Sequence, residues 1–194
     1  MKNIVVFASG SGTNFQSIID AVDRGDITAN ISGLITNKYN IGAIQRAEDH
    51  NIPTRVLSPA DFSSEHDFAN KLLTQLTDWN TSLIVLAGYL IKIPASVIKE
   101  FKSRILNIHP SLLPKYGGKG FYGLNVHHAV LNAYEKESGC SVHIVTDEFD
   151  EGPVIARAKV KVKKDDTPEL LAQRILKEEH QLYPKAIQQH LQTL

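Results

Sequence analysis

Apolar runs of strand length alternate with stretches of helical spacing, and no other feature of this chain narrows its possible folds as far. Residues 3–8 are β-branched and apolar and read as a buried strand. Beyond the turn from Ser9 to Asn14, Phe15, Ile18, Ile19 and Val22 fall at i, i+3, i+4 and i+7. That is the stripe of a helix lying on a sheet, and it ends near Gly25. A second strand is expected at 30–36, a short helix at Ile41, Ile44 and Ala47, and a short strand at Arg55–Leu57 after Pro53. Ser64 with Asp67 reads as an N-cap pair ahead of the stripe Phe68, Leu72, Leu76 and Trp79. Leu83–Ala87 reads as a buried strand, and Pro94 as the first residue of a helix over 94–101.

The second half continues the pattern. A strand at 104–109 precedes a long Gly-rich loop from Pro110 to Gly123, then a helix from Leu124 to Glu137. Alternation marks a strand over Ser141–Thr146, and another follows at Val154–Val162 after the acidic turn Asp147–Gly152. Asp166-Thr167-Pro168 starts a final helix, which Pro184 is expected to bend or interrupt. Strands alternating with helices imply an α/β fold, a mostly parallel twisted sheet with helices on both faces. The chain has no internal repeat, low-complexity segment or linker-like stretch, so residues 1–194 are expected to form a single domain.

Lys plus Arg and Asp plus Glu number 21 each, a balance that argues against a dedicated nucleic-acid or membrane-surface protein. Cys140 is the only cysteine, so no intrachain disulfide can form and a Cys-based zinc site is excluded. Residues 4–8 are too few for a signal-peptide core, and no run is long enough to span a bilayer. A cytoplasmic protein is expected.

Residues 105–114, Ile-Leu-Asn-Ile-His-Pro-Ser-Leu-Leu-Pro, carry the clearest chemistry. Alternation along a strand puts Asn107 and His109 on one face, their α-carbons ~6.6 Å apart, with Leu106 and Ile108 on the other. A donor beside a titratable ring at a strand end suits oxyanion stabilisation or proton transfer. It equally suits a buried pair that satisfies itself. The turn Gly10-Ser11-Gly12-Thr13-Asn14, at a strand end and a helix start, suits an anion, or is simply a tight turn. A dinucleotide fingerprint fails, because Phe15 stands where a third Gly belongs and Ile35-Thr36-Asn37-Lys38 lacks the acidic residue. No Gly-x-x-x-x-Gly-Lys-Ser/Thr occurs, so a phosphate monoester is the better candidate.

Asp147 to Gly152 could be a solvated turn or could bring a carboxylate to His109, orienting the ring and favouring its charged form. His127 and His128 have no partner at metal spacing, so no metal site is expected. No Gly-x-Ser-x-Gly occurs and Cys140 has no activating context, which disfavours covalent catalysis. Tyr116–Gly123 could be a flap or only a long loop.

Asn107-Ile108-His109-Pro110-Ser111-Leu112-Leu113-Pro114 resembles the formyltransferase signature. With Ala8–Asn14 and Val142–Pro153 added, the chain resembles the folate-dependent phosphoribosylglycinamide formyltransferase family along nearly its whole length. The resemblance implies a Rossmann-like formyltransferase fold and transfer of a formyl group from 10-formyltetrahydrofolate, as co-substrate, to the amine of glycinamide ribonucleotide in purine biosynthesis. It implies that Asn107 and His109 polarise the formyl carbonyl and that Asp150 holds His109 charged and relays a proton. Gly12, Thr13, Asn14 and Phe15 match the family's phosphate loop, and Glu179 its ribose contact. Leu90, Ile91, Lys92 and Ile93, with Thr146, Asp147, Glu148, Phe149 and Asp150, match the segments that enclose the pterin beside Asn107. A cis bond before Pro114 is also implied.

The chain departs from the family at three places. Glu65 stands where many members carry Arg, Leu90-Ile91 replaces a common Met-Arg, and the loop Gly117–Gly123 is longer than usual. The nearest rival is formyltetrahydrofolate hydrolase, which usually adds an N-terminal regulatory domain and tends to carry a second His where Pro110 stands. Methionyl-tRNA formyltransferase usually adds an RNA-binding domain, for which this chain has neither spare length nor excess positive charge. A non-catalytic phosphate sensor is a rival of another class. Monomer and homodimer both remain open.

Overall fold

The computed structural model describes all residues from Met1 to Leu194. Seven strands form one sheet: β1 (Lys2–Ala8), β2 (Ala29–Thr36), β3 (Thr54–Val56), β4 (Leu83–Leu86), β5 (Ile105–His109), β6 (Glu137–Ile144) and β7 (Val154–Lys161). The helices are α1 (Thr13–Asp23), α2 (Gly42–Asp49), α3 (Glu65–Asp78), α4 (Ala95–Glu100), α5 (Leu124–Asn132) and α6 (Pro168–Leu191). The strand order is β3-β2-β1-β4-β5-β6-β7. The first five run parallel to their neighbours, while β6 runs antiparallel to β5 and β7 antiparallel to β6.

Alternation along each strand divides the apolar residues between two cores. Ile4 and Val6 of β1 pack with Phe15 and Ile18 of α1 and with Leu171, Ile175 and Tyr183 of α6. Val5 and Phe7, on the opposite face, pack with Phe68 and Leu72 of α3 and Val97 of α4. This two-sided burial is why the central strands read as unbroken apolar runs. The chain winds outward from β1 to β3, then crosses back to β4. That reversal leaves a crevice at the carboxyl ends of β1, β4 and β5, where open α/β sheets bind ligands. No helix is long and apolar enough to cross a membrane.

Three expectations need correction. α5 stops at Asn132, short of Glu137, because β6 begins there and pairs with β7 from Glu137 opposite Lys161. Polar and small residues at Glu137–Gly139 hide that strand from apolar periodicity. Pro94 is the N-cap of α4, with ψ 142° outside the helical range. α6 runs unbroken through Pro184, whose missing N–H removes one helical bond. The helix is held across that gap by sheet contacts, among them Tyr183, whose hydroxyl lies 2.9 Å from the Leu86 carbonyl and 3.0 Å from that of Leu106.

Candidate active site

The site begins where β5 ends. Asn107 and His109 face the crevice, while Leu106 and Ile108 pack in the core. β6 pairs antiparallel with β5 so that His143 lies opposite Asn107. The chain then turns through Asp147–Gly152 and brings Asp150 back over the same two residues. Asp150 adopts a left-handed backbone, with φ 58°, a conformation for which Asp is among the better-suited residues. Gly152 allows this turn, because a Cβ there would lie 1.7 Å from the Ile144 carbonyl oxygen.

Asp150 is the hub. Its Oδ2 lies 3.5 Å from His109 Nδ1 and accepts the Gly118 N–H at 2.9 Å. Its Oδ1 lies 3.4 Å from both Asn107 Nδ2 and His143 Nε2. Burial raises the Asp150 pKa, but the two imidazoles, each of which holds the carboxylate once it carries a proton toward it, and the Gly118 N–H outweigh burial and leave the carboxyl below its usual range. His109 is 5% exposed and donates from Nε2 to the Tyr116 carbonyl at 2.7 Å. Its pKa lies below the ordinary histidine value because burial exceeds the pull of Asp150 and the Tyr116 bond.

These groups open on a cavity of about 640 Å³. One wall is the β4–α4 connection and another the acidic turn, and Lys92 Nζ stands 5.5 Å from the centre of the Phe149 ring between them. Leu90, Ile91, Lys92, Ile93, Asn107, Thr146, Asp147, Glu148, Phe149 and Asp150 all line it. Residues Gly118–Leu124 form a further side, so the Gly-rich loop borders the cavity. The bond between Leu113 and Pro114, at the base of this loop, is cis.

The residues expected at the nucleotide's phosphate and ribose are split. Asn14 and Glu179 line the cavity, and Asn14 Nδ2 donates to Glu179 Oε2 at 2.6 Å. Burial pushes the Glu179 carboxyl up to about 7, against the opposing effect of the Asn14 bond. Gly12, Thr13 and Phe15 do not line the cavity. The Phe15 ring is wholly buried in the core and cannot touch a ligand, so only its backbone could. Gly12 is the N-cap of α1, with φ 73° and no room for a Cβ against Ala43. The first-turn N–H groups of Thr13, Asn14 and Phe15 have no partner within the helix, which keeps the start of α1 suited to an anion. Glu65 is exposed in the first turn of α3 and is not part of the cavity wall.

Two histidines stand at the site beyond the residues expected there: His143, and His127, which the sequence raised only as a metal ligand. His143 could have been found only by pairing β6 with β5. His127 lines the cavity with its Nδ1 buried and without a protein partner; burial, aided by the charges of His109 and His128, pushes its pKa down to about 4.

An amide, an imidazole and a carboxylate around an apolar crevice, at the switch point of an α/β sheet, are the groups with which a site can handle a proton and stabilise an oxyanion. The family described as formyl transferase matches residues 2–187, and the chain belongs to it. The chain is similar to several phosphoribosylglycinamide formyltransferases. The chloroplastic enzyme of Arabidopsis thaliana is 40% identical over 187 residues, covering 96% of this chain and 64% of that protein. The Escherichia coli enzyme is 37% identical over 185 residues, covering 95% of this chain and 85% of that one. This chain thus spans a little under two thirds of the plant relative. The crystal structure of glycinamide ribonucleotide transformylase 1 from Geobacillus kaustophilus superposes with a TM-score of 0.91 at 39% identity, over 97% of this chain and 98% of that one.

Proposed function

We propose that this chain transfers the formyl group of 10-formyltetrahydrofolate to the amine of glycinamide ribonucleotide, with residues 1–194 working as one catalytic domain. The observation that carries this reading is the convergence of Asn107, His109 and Asp150, from β5 and the distant β6–β7 turn, within 3.5 Å of one another through the carboxylate. The partners are these two small molecules, with no nucleic acid and no membrane, and the compartment is the cytoplasm. In this reading the pterin occupies the cavity between Leu90–Ile93 and Thr146–Asp150. The nucleotide lies toward the start of α1, with its phosphate on the first-turn N–H groups and its ribose near Glu179.

The amine nitrogen attacks the formyl carbon, and the carbonyl oxygen becomes an oxyanion. The hydrogen of Asn107 Nδ2 on the Asp150 side, engaged there only by a long 3.4 Å contact, is the one available to that oxygen. His109 starts neutral, because burial disfavours its charge. Growing negative charge beside it makes the imidazolium favourable, so His109 and Asp150 can take the proton released by the attacking nitrogen. That proton passes to the folate nitrogen as its bond to carbon breaks, giving tetrahydrofolate and the formylated nucleotide. The His–Asp pair so acts as base and then acid.

The test incubates the protein with 10-formyltetrahydrofolate, with and without glycinamide ribonucleotide. Tetrahydrofolate is expected only when the amine is present, matched mole for mole by formylated product. Formyl loss that ignores the amine would replace this reading with hydrolysis. His109→Ala and Asp150→Asn are each expected to lower kcat by roughly 10²–10³ while ligand binding persists. Near-normal turnover in either variant would reject the mechanism.

A further inference from the structure

An asparagine amide has two ends of nearly equal size, one donating and one accepting, and only the donating end can stabilise an oxyanion. Some neighbour must therefore decide which end of Asn107 faces the reaction. Asn107 Nδ2 lies 3.0 Å from His143 Nε2 and 3.4 Å from Asp150 Oδ1. Were the amide reversed, its oxygen would oppose the carboxylate oxygen with no hydrogen between them. With the amide as it stands, the 3.0 Å contact holds a hydrogen only if His143 Nε2 is bare. A proton on Nε2 could instead reach Asp150, also 3.4 Å away, but two N–H groups would then oppose each other at the shorter distance. A bare Nε2 puts the ring proton on Nδ1, and Nδ1 lies 3.2 Å from the Ile144 carbonyl oxygen, which can only accept.

We infer that His143 is a positioning residue for the proposed formyl transfer: the Ile144 carbonyl fixes its tautomer, its bare Nε2 holds one hydrogen of the Asn107 amide, and the other hydrogen, in long contact with Asp150, is thereby kept on the side where the reacting carbonyl can take it. The inference rests on the transfer reading for its consequence, though not for its geometry. His143 is 2% exposed and lies opposite Asn107 on the strand paired with β5, so its buried ring has little room to turn away from the amide. The arrangement couples a main-chain carbonyl to the substrate through two side chains. It also explains why a second imidazole is built into a site whose proton chemistry needs only His109.

Two measurements test it. Long-range proton–nitrogen NMR of the ligand-free protein should find the His143 proton on Nδ1; a proton on Nε2 would overturn the inference. In steady-state kinetics, His143→Leu leaves Asn107 free to turn and should cost less than the roughly 10²–10³ attached to losing an oxyanion donor outright, about 10- to 100-fold in kcat. KM for both substrates should hold. His143→Gln, which can place an amide oxygen where Nε2 stood, should recover most of the loss. In an Asn107→Ala background His143→Leu should cost far less, because most of its effect passes through Asn107. An equal loss in both backgrounds, or a Gln variant no better than Leu, would overturn the inference. Wild-type protein that sheds formyl groups without the amine would instead remove the transfer reading, and the NMR tautomer would still decide how Asn107 is held.

Discussion

His109 stands 3.5 Å from a carboxylate and still has a pKa below the ordinary histidine value, because charging a ring buried at the end of β5 costs more than Asp150 returns. The two contributions can be separated. Asp150 raises the His109 pKa, so Asp150→Asn should lower it further, as followed by NMR titration of the ring. A His109 pKa that rises in that variant would mean that burial is not the dominant cause. The residue types of this trio are legible in the sequence, since Asn-Ile-His-Pro sets the first two on one face of a strand. The protonation state is not legible, because it depends on how many atoms surround the ring.

At the scale of elements, the β6–β7 turn is the part on which the chemistry most depends. Asp150 is held in a left-handed backbone by a turn that Gly152 permits, and a Cβ at Gly152 would lie 1.7 Å from the Ile144 carbonyl oxygen. Gly152→Ala must therefore shift the turn and the carboxylate with it. A misplacement of about 1 Å can cost ~10² in rate, and a loss of that order in kcat is expected. Comparing kcat with the urea unfolding midpoint checks this; full activity in the variant would show that something else fixes Asp150. Most elements followed from periodicity: the α1 stripe, the apolar β4 run and the Ser64 cap, whose Oγ accepts the Asp67 N–H at 3.1 Å. The start of β6 did not. Its first residues are polar or small, and their place in the sheet comes from β7 across from them rather than from their own pattern.

For the molecule as a whole, buried histidines make stability depend on acid. His127 has its pKa pushed down to about 4, while an unfolded histidine titrates near ~6.5. Between those values an unfolded His127 binds more protons than a folded one, so His127 makes stability fall as pH falls through that window, against Glu179, whose raised carboxyl acts the other way. His127 can account for up to about 3 kcal/mol of that loss, with His109 and His180, both lowered by burial, acting in the same direction. Replacing His127 with Asn should flatten the fall, as measured by urea midpoints between pH 7 and pH 4. An unchanged slope would count against a buried neutral His127. The amino-acid sequence by itself determined where most strands and helices lie, because burial on one or two faces leaves its period in the order of apolar residues. It also determined the Asn–His pair, whose two-residue spacing is local. Only the tertiary structure decided that Asp150 meets them, that His143 stands behind Asn107, and that Phe15 turns away from the ligand side. Those facts depend on antiparallel pairing and on packing between residues far apart in the chain, and no local spacing records either.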